Sequence, residues 1–226
     1  MLKIIKISTV TALCALLVCV IILKTPLAKY PVSFFLSKAL GMDVTLKSCT
    51  LLLPGNLAIK GAQIKNRTGL RCAIKEGLIK YNVLGILKNN TALDISLKNV
   101  NFSNAESKVI KGIIELFYIT PIGLFEFNTV EGIVYIKPKE LIIKDLKAKG
   151  SDVTFFANGT TKNDNQISYT VKLILSDNIT SKIPEEIRSI FFKREQQYSI
   201  VELYINGNLK KPSIQFSTPL FKLSIK

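Results

Sequence analysis

The residue types that could do chemistry are few in this chain. It has no histidine, and four cysteines. Without imidazole, Ser-His-Asp and Cys-His catalysis, the HExxH zinc motif and His-ligated haem are excluded. Carboxylate, lysine and thiol chemistry remain. The acids are dispersed, and their only adjacent pair, Glu185-Glu186, is explained as negative charge at the positive end of a helix opened by Pro184. Two-carboxylate glycoside hydrolysis is the enzymatic reading that composition leaves open, because such partners meet only in space. No glycine-rich phosphate loop is present, and Cys14, Cys19, Cys49 and Cys72 lack the spacing of metal ligands. The expectation is a protein that is not an enzyme and holds no cofactor or metal.

The charge points the same way. Lysine and arginine number 31 against 16 acids, a net charge of +15 over 226 residues. Arginine occurs only at Arg67, Arg71, Arg188 and Arg194, and the lysines stand singly between apolar residues, as in Leu93–Lys98 and Leu141–Lys149. A nucleic-acid footprint clusters arginine with interleaved aromatics, so nucleic acid is not expected as a partner. Lysines spaced in this way keep the faces and edges of an apolar sheet soluble. Attraction to an anionic membrane surface is their second reading.

Hydrophobic residues make up 48% of the chain. Residues 7–23 form an uncharged run of 17, which as a helix reaches roughly 25 Å, close to a bilayer span. Lys6 and Lys24 bracket it and can snorkel. No A-x-A follows Leu23, so an uncleaved signal anchor is expected, with the amino terminus cytoplasmic and the remainder exported. Cys14 and Cys19 then lie in the membrane. Cys49 and Cys72 are left in an oxidising compartment, either paired as a disulfide or as buried free thiols. The chain divides into residues 1–29, a cytoplasmic tip and transmembrane anchor, and residues 30–226, an exported β-rich domain.

The positioning elements follow from periodicity. Tyr30–Leu40 places Val32, Phe35, Leu36, Ala39 and Leu40 at helical spacing, either lying near the bilayer surface or capping the first strands. From Met42 the period is two. Strands are expected at Asp43–Lys47, Asn56–Lys60, Thr91–Lys98, Gly132–Ile136, Leu141–Leu146, Val153–Ala157, Ile167–Leu175 and Ser199–Ile205. Turn chemistry stands at Pro54-Gly55-Asn56, Asn66–Gly69, Asn89-Asn90, Asn158-Gly159, Asn163–Asn165 and Asn206-Gly207-Asn208. A short helix begins at Pro184, with Ile187, Ile190 and Phe191 on one face. Ser107–Phe117 reads as either a second helix or a buried strand. The fold class is mainly β, about a dozen antiparallel strands with one or two short helices. A sandwich and a folded-over sheet with an apolar trough both satisfy this pattern.

Two stretches resemble a known family. Phe35-Leu36-Ser37-Lys38-Ala39-Leu40-Gly41-Met42-Asp43-Val44-Thr45-Leu46, continuing into Leu53-Pro54-Gly55-Asn56-Leu57-Ala58-Ile59-Lys60-Gly61-Ala62-Gln63-Ile64-Lys65-Asn66 and Gly69, looks like the opening of bacterial AsmA-like proteins. Asn206-Gly207-Asn208-Leu209-Lys210-Lys211-Pro212-Ser213-Ile214 resembles their G-x-x-x-x-P-x-I close, and Gly132–Ile136 their G-x-i-x-i strand. The chain is much shorter than the best-known members.

The resemblance implies an inner-membrane anchor and a curved antiparallel sheet of the β-taco type, whose apolar inner face carries acyl chains between membranes. Burial of about 0.8 kcal/mol per CH₂ would drive such binding. The lining expected here is Val44, Leu46, Leu57, Ile59, Leu93, Ile95, Leu97, Val171, Leu173, Leu175, Val201, Leu203 and Ile205. A dozen strands at about 4.8 Å span roughly 60 Å, a stub that would need an envelope partner or self-association through its edges. The expected partners are membrane lipids, and the place is a bacterial inner membrane with the body periplasmic. The rival reading is a scaffolding component of an envelope or secretion assembly with a closed β core. Five N-x-[ST] sequons, at Asn66, Asn89, Asn101, Asn158 and Asn178, would suit a eukaryotic signal-anchored protein, but the Lys/Ile/Asn bias equally suits an AT-rich bacterial genome.

Overall fold

Apolar residues at every second position, separated by Lys, Thr, Asn and Ser, bury one face and satisfy their backbone only beside another strand. The computed structural model describes residues 26–40, 42–52, 55–65, 71–82, 84–85, 90–103, 126–181, 183–195, 197–208, 211–217 and 222–225. A single 3₁₀ turn, Pro26–Ala28, leads into α1 (Lys29–Leu40). There follow β1 (Asp43–Leu52), β2 (Asn56–Lys65), β3 (Arg71–Tyr81), β4 (Thr91–Ser103), β5 (Glu126–Lys137), β6 (Glu140–Gly150), β7 (Val153–Lys162) and β8 (Gln166–Ser176). Two short helices, α2 (Asp177–Thr180) and α3 (Glu185–Phe191), separate these from β9 (Lys193–Glu195), β10 (Tyr198–Asn208), β11 (Lys211–Ser217) and β12 (Lys222–Ile225).

The strands form one 12-stranded antiparallel sheet in the order β1-β2-β3-β4-β5-β6-β7-β8-β10-β11-β12, with β9 pairing the start of β10. β1 and β12 are its two edges, so the sheet is open. The mainly β reading holds, as do α1 and the helix after Pro184. Among the described residues no helix is long and apolar enough to cross a membrane. The run 7–23, the Asn66–Gly69 turn and the segment Ser107–Phe117 lie outside those residues.

Four strands, β3, β9, β11 and β12, were not among those expected, and two expected turns lie within strands. β3 was not foreseen, because its alternation breaks at the consecutive polar residues Lys75 and Glu76. Asn158-Gly159 is no turn but the middle of β7. There the Asn158 Oδ1 accepts the Asp145 amide at 2.6 Å, while a Cβ on Gly159 would strike Ser168 O and the Tyr169 ring of β8. Asn206-Gly207-Asn208 also belongs to a strand, paired with Ser213-Pro212-Lys211. By contrast Gly55 does turn the chain into β2, while Pro54 lies outside the described residues. Gly55 has φ +85°, and a Cβ there would collide with the Tyr81 carbonyl.

A crease crosses the first half of the sheet. Lys47, Gly61, Lys75, Asn99 and Asn128 drop out of the pairing in four successive ladders. Gly61 and Asn99 have φ of 60° and 50°. Such irregularities flip the alternation, so the buried set changes parity here in every strand. Leu46 and Cys49 are both buried although three positions apart, as are Ile59 and Ala62. In β6 a second irregularity, with Asp145 at φ 52°, lies between Ile143 and Leu146.

Candidate apolar binding face

Residues that are Cα partners across an antiparallel ladder share a face, so the register can be followed as rows from strand to strand. One row runs Cys49, Ile59, Gly77, Leu97, Val130, Ala148, Phe155, Leu173, Val201. The next runs Leu51, Leu57, Ile79, Ile95, Gly132, and, past the β6 irregularity, Ala157, Val171, Leu203, Phe216. A third holds Tyr81, Leu93, Val134, Ile143, Gly159, Tyr169, Ile205, Ile214. Beyond the crease Val44, Ile64, Cys72 and Phe102 align, as do Leu46, Ala62, Ile74, Val100 and Phe127. Leu175 continues the face beside Val153 and Ser199.

Every residue expected to line the apolar face therefore lies on one side of one sheet. Val44 and Leu46 join Leu57 and Ile59 there only because the crease flips both strands. The rows add Ile74 and Ile79 of β3, whose alternation was hidden, and Val130, Val134, Ile143, Phe155, Ile214 and Phe216. Tyr81, Tyr169 and Ser199 are polar exceptions on this face, and no carboxylate, lysine or arginine among the described residues stands in these rows. The face can bury hydrocarbon. It offers no acid–base pair.

Part of it is covered by the chain itself. Val32 and Leu36 of α1 pack against a buried cluster that includes Val44, Ile59, Ile74, Val100 and Phe127. Ser37 fixes the helix to β1: its hydroxyl oxygen accepts the Val44 amide at 2.8 Å. At the other end Ile187 and Phe191 of α3 pack onto a second cluster with Ile183, Val201, Leu203 and Phe216. Phe191 and Phe216 meet edge to face, centroids 5.8 Å apart. Asp152 steadies the approach to α2 and α3, accepting Ser176 Oγ at 2.8 Å and Asn178 Nδ2 at 3.1 Å on one carboxylate oxygen. Leu146, Val153 and Phe155 touch both clusters. Ile79, Leu93, Ile95, Val134 and Ile143 belong to neither and are only half-buried. They are contiguous by register across β3–β6.

The opposite face is lysine-bearing and mixed, with Ile133, Ile142, Phe156, Ile174 and Ile200 standing among its polar residues. It carries Lys60, Lys98, Lys147 and Lys172, and Lys147 Nζ lies 5.5 Å from the Phe156 ring centroid. Over the crease it forms an open hollow of about 430 Å³ lined by Lys47, Ser48, Lys60, Gly61, Lys75 and Glu76. Lys193 and Glu195 pair at 2.9 Å at the sheet's far side. Their hydrogen bond raises the lysine pKa and lowers the glutamate's.

Cys49 and Cys72 are free thiols, which corrects the disulfide alternative. They share the apolar face but stand two strands and several rows apart. At about 4.8 Å per strand and 3.3 Å per residue this far exceeds a disulfide's reach. Burial pushes Cys49 up and carries Cys72 to about 11. Burial also raises Tyr81, with a smaller contribution from Cys49.

An open antiparallel sheet with one uncharged apolar face and one lysine-bearing face is the class of protein these features define. Comparison with family models, curated proteins and solved structures finds no match to this chain.

Proposed function

We propose that this is a non-enzymatic envelope protein, AsmA-like in its architecture, that binds acyl chains on its apolar face and helps move phospholipid between membranes or maintain outer-membrane lipid balance. In this reading residues 7–23 anchor it in a bacterial inner membrane, the rest is periplasmic, and the sheet curls about its apolar side into a trough. The observation that carries it is the patch Ile79, Leu93, Ile95, Val134 and Ile143, contiguous and apolar yet outside both packed clusters. A surface of this kind needs a cover. Hydrocarbon suits it, because the five side chains of the patch carry no polar group and, among the described residues, no charged side chain stands in these rows. Headgroups would stay in water. The span of the sheet argues for a receiver or stub working with a partner or a second copy through its open edges.

The test is native mass spectrometry with lipid extraction on the full chain purified from bacterial membranes. Phospholipid that co-purifies and is lost in Ile95→Lys, with the far-UV circular dichroism unchanged, supports a carrier. A folded, lipid-free protein sinks it.

A second reading, a scaffolding component with its apolar face consumed as its own core, is favoured by one feature. α3 seats Ile187 and Phe191 directly on the face, beside Val201 and Phe216.

A further inference from the structure

α1 is apolar on two sides, and the sheet takes only one of them. At about 100° per residue, Val32 and Leu36 point together into the sheet, while Tyr30 and Phe34 stand roughly opposite. The outward pair is 64% and 58% exposed, and Leu27 in the preceding turn is 58% exposed. These are among the most exposed large apolar residues described, gathered within a single stretch of eight positions. The segment Pro26–Leu40 contains no acid. Its lysines are arranged over the same aromatics, Lys29 Nζ 5.0 Å from the Tyr30 ring centroid and Lys38 Nζ 5.0 Å from that of Phe34.

Exposed aromatics with flanking lysines and no acids fit the headgroup layer of an anionic bilayer, where rings sit at the acyl boundary and ammonium groups meet phosphate. Chain continuity supplies the occupant. If residues 7–23 lie in the bilayer, the connection from Lys24 to the start of α1 at Lys29 cannot exceed roughly 18 Å even when fully extended. The helix is then held at the membrane surface whatever its preference. The exposed side is the one turned away from the sheet, since the Ser37–Val44 bond ties the helix to β1.

We propose that α1 docks on an anionic lipid surface through Leu27, Tyr30 and Phe34, holding the β1 edge of the sheet against the bilayer. This rests on the membrane-anchored reading above and names the end of the apolar face at which lipid would enter.

The chain has no tryptophan, so a single introduced one is an unambiguous probe. Tyr30→Trp, Phe34→Trp and, as controls, Leu16→Trp and Tyr135→Trp are made in the full chain. Each is reconstituted in phosphatidylglycerol–phosphatidylcholine vesicles with brominated acyl chains. The expected result is blue-shifted, strongly quenched emission at positions 30 and 34, with red, unquenched emission at 135. Quenching at 30 and 34 should fall when Lys29 and Lys38 are both changed to Glu. Positions 30 and 34 are solvent-facing, so folding is retained, and the circular dichroism spectrum checks it. Quenching at 16 with none at 30 and 34 overturns the docking of α1 and leaves the anchor standing. Quenching at 30 and 34 without quenching at 16 upholds the docking and removes the anchor. Unquenched emission at all three overturns both.

Discussion

Phe216 offers the sharpest test of how the apolar face is filled. It is 1% exposed, the largest fully buried side chain described, and its ring meets that of Phe191 at 79°. Phe216→Ala removes a buried ring from a site where the strands cannot collapse freely, a loss of about 3–5 kcal/mol. For a chain of this size that lowers the melting temperature by about 6–20 °C. Phe191→Ala, on a half-buried side chain of the seven-residue α3, should cost about 1–2 kcal/mol. The two changes share a contact, so the double variant should fall short of their sum by about 0.5–1.5 kcal/mol. Urea unfolding of the full chain in detergent, followed by far-UV circular dichroism, reads all of these values. The same samples carry a second readout. If α3 occupies ground that lipid would otherwise take, Phe191→Ala should retain more phospholipid than the unmodified chain. Additivity within about 0.3 kcal/mol, or Phe216→Ala costing under about 1 kcal/mol, would refute the seating of α3 on β11 and with it the idea of a chain-filled end.

The other expected outcomes concern local devices. With Cys14 and Cys19 changed to Ser, Cys72 should alkylate at pH 8 on the order of 100-fold more slowly than an ordinary thiol, because burial raises its pKa to about 11. Copper-phenanthroline should produce no Cys49–Cys72 cross-link, and a mass shift of two hydrogens within one chain would contradict the register. The raised thiol also sets a pH dependence. Between the ordinary thiol value near 9 and about 11, the folded state binds the proton that the unfolded state has released. Stability is therefore complete below pH 9 and declines as pH rises toward 11, an effect that Cys72→Ala should reduce in urea midpoints measured at both pH values, with the remainder coming from Cys49 and Tyr81, which burial also raises. Gly61→Ala should destabilise by about 1–2 kcal/mol, since its φ is +60° and a Cβ would lie 2.8 Å from that of Lys47; thermal melting checks it. Ser37→Ala should cost about 1 kcal/mol and increase hydrogen exchange at the Val44 amide, whereas unchanged exchange would mean that the hydroxyl does not hold α1 to β1.

The lysine-spaced alternation in segments such as Thr91–Lys98 can only be an amphipathic strand, because period two sends apolar and charged side chains to opposite faces. For the same reason the expected lining residues were nameable before any pairing was known. Gly55 marked its turn because only glycine tolerates that backbone conformation beside the Tyr81 carbonyl. Local chemistry also announced α3: Pro184 sets its first turn, and Glu185 and Glu186 meet its positive end.

What lay beyond the sequence depended on neighbours. Strict alternation would put Leu46 and Cys49 on opposite faces, and it obscured β3 at Lys75-Glu76. Only the matching irregularities of adjacent strands, Gly61 against Lys47 and Asn99 against Lys75, keep the apolar set on one side. Asn158-Gly159 carries turn chemistry, yet the needs of Asp145 on one neighbouring strand and Tyr169 on the other hold it in the sheet. The separation of Cys49 from Cys72 is likewise a matter of register. Composition and period determined by themselves that this chain makes an amphipathic antiparallel sheet, since both act within a few residues. Which residues share a row, and which side of α1 is turned away from the sheet, were decided by the tertiary structure, because a row is assembled from strands that meet only after folding.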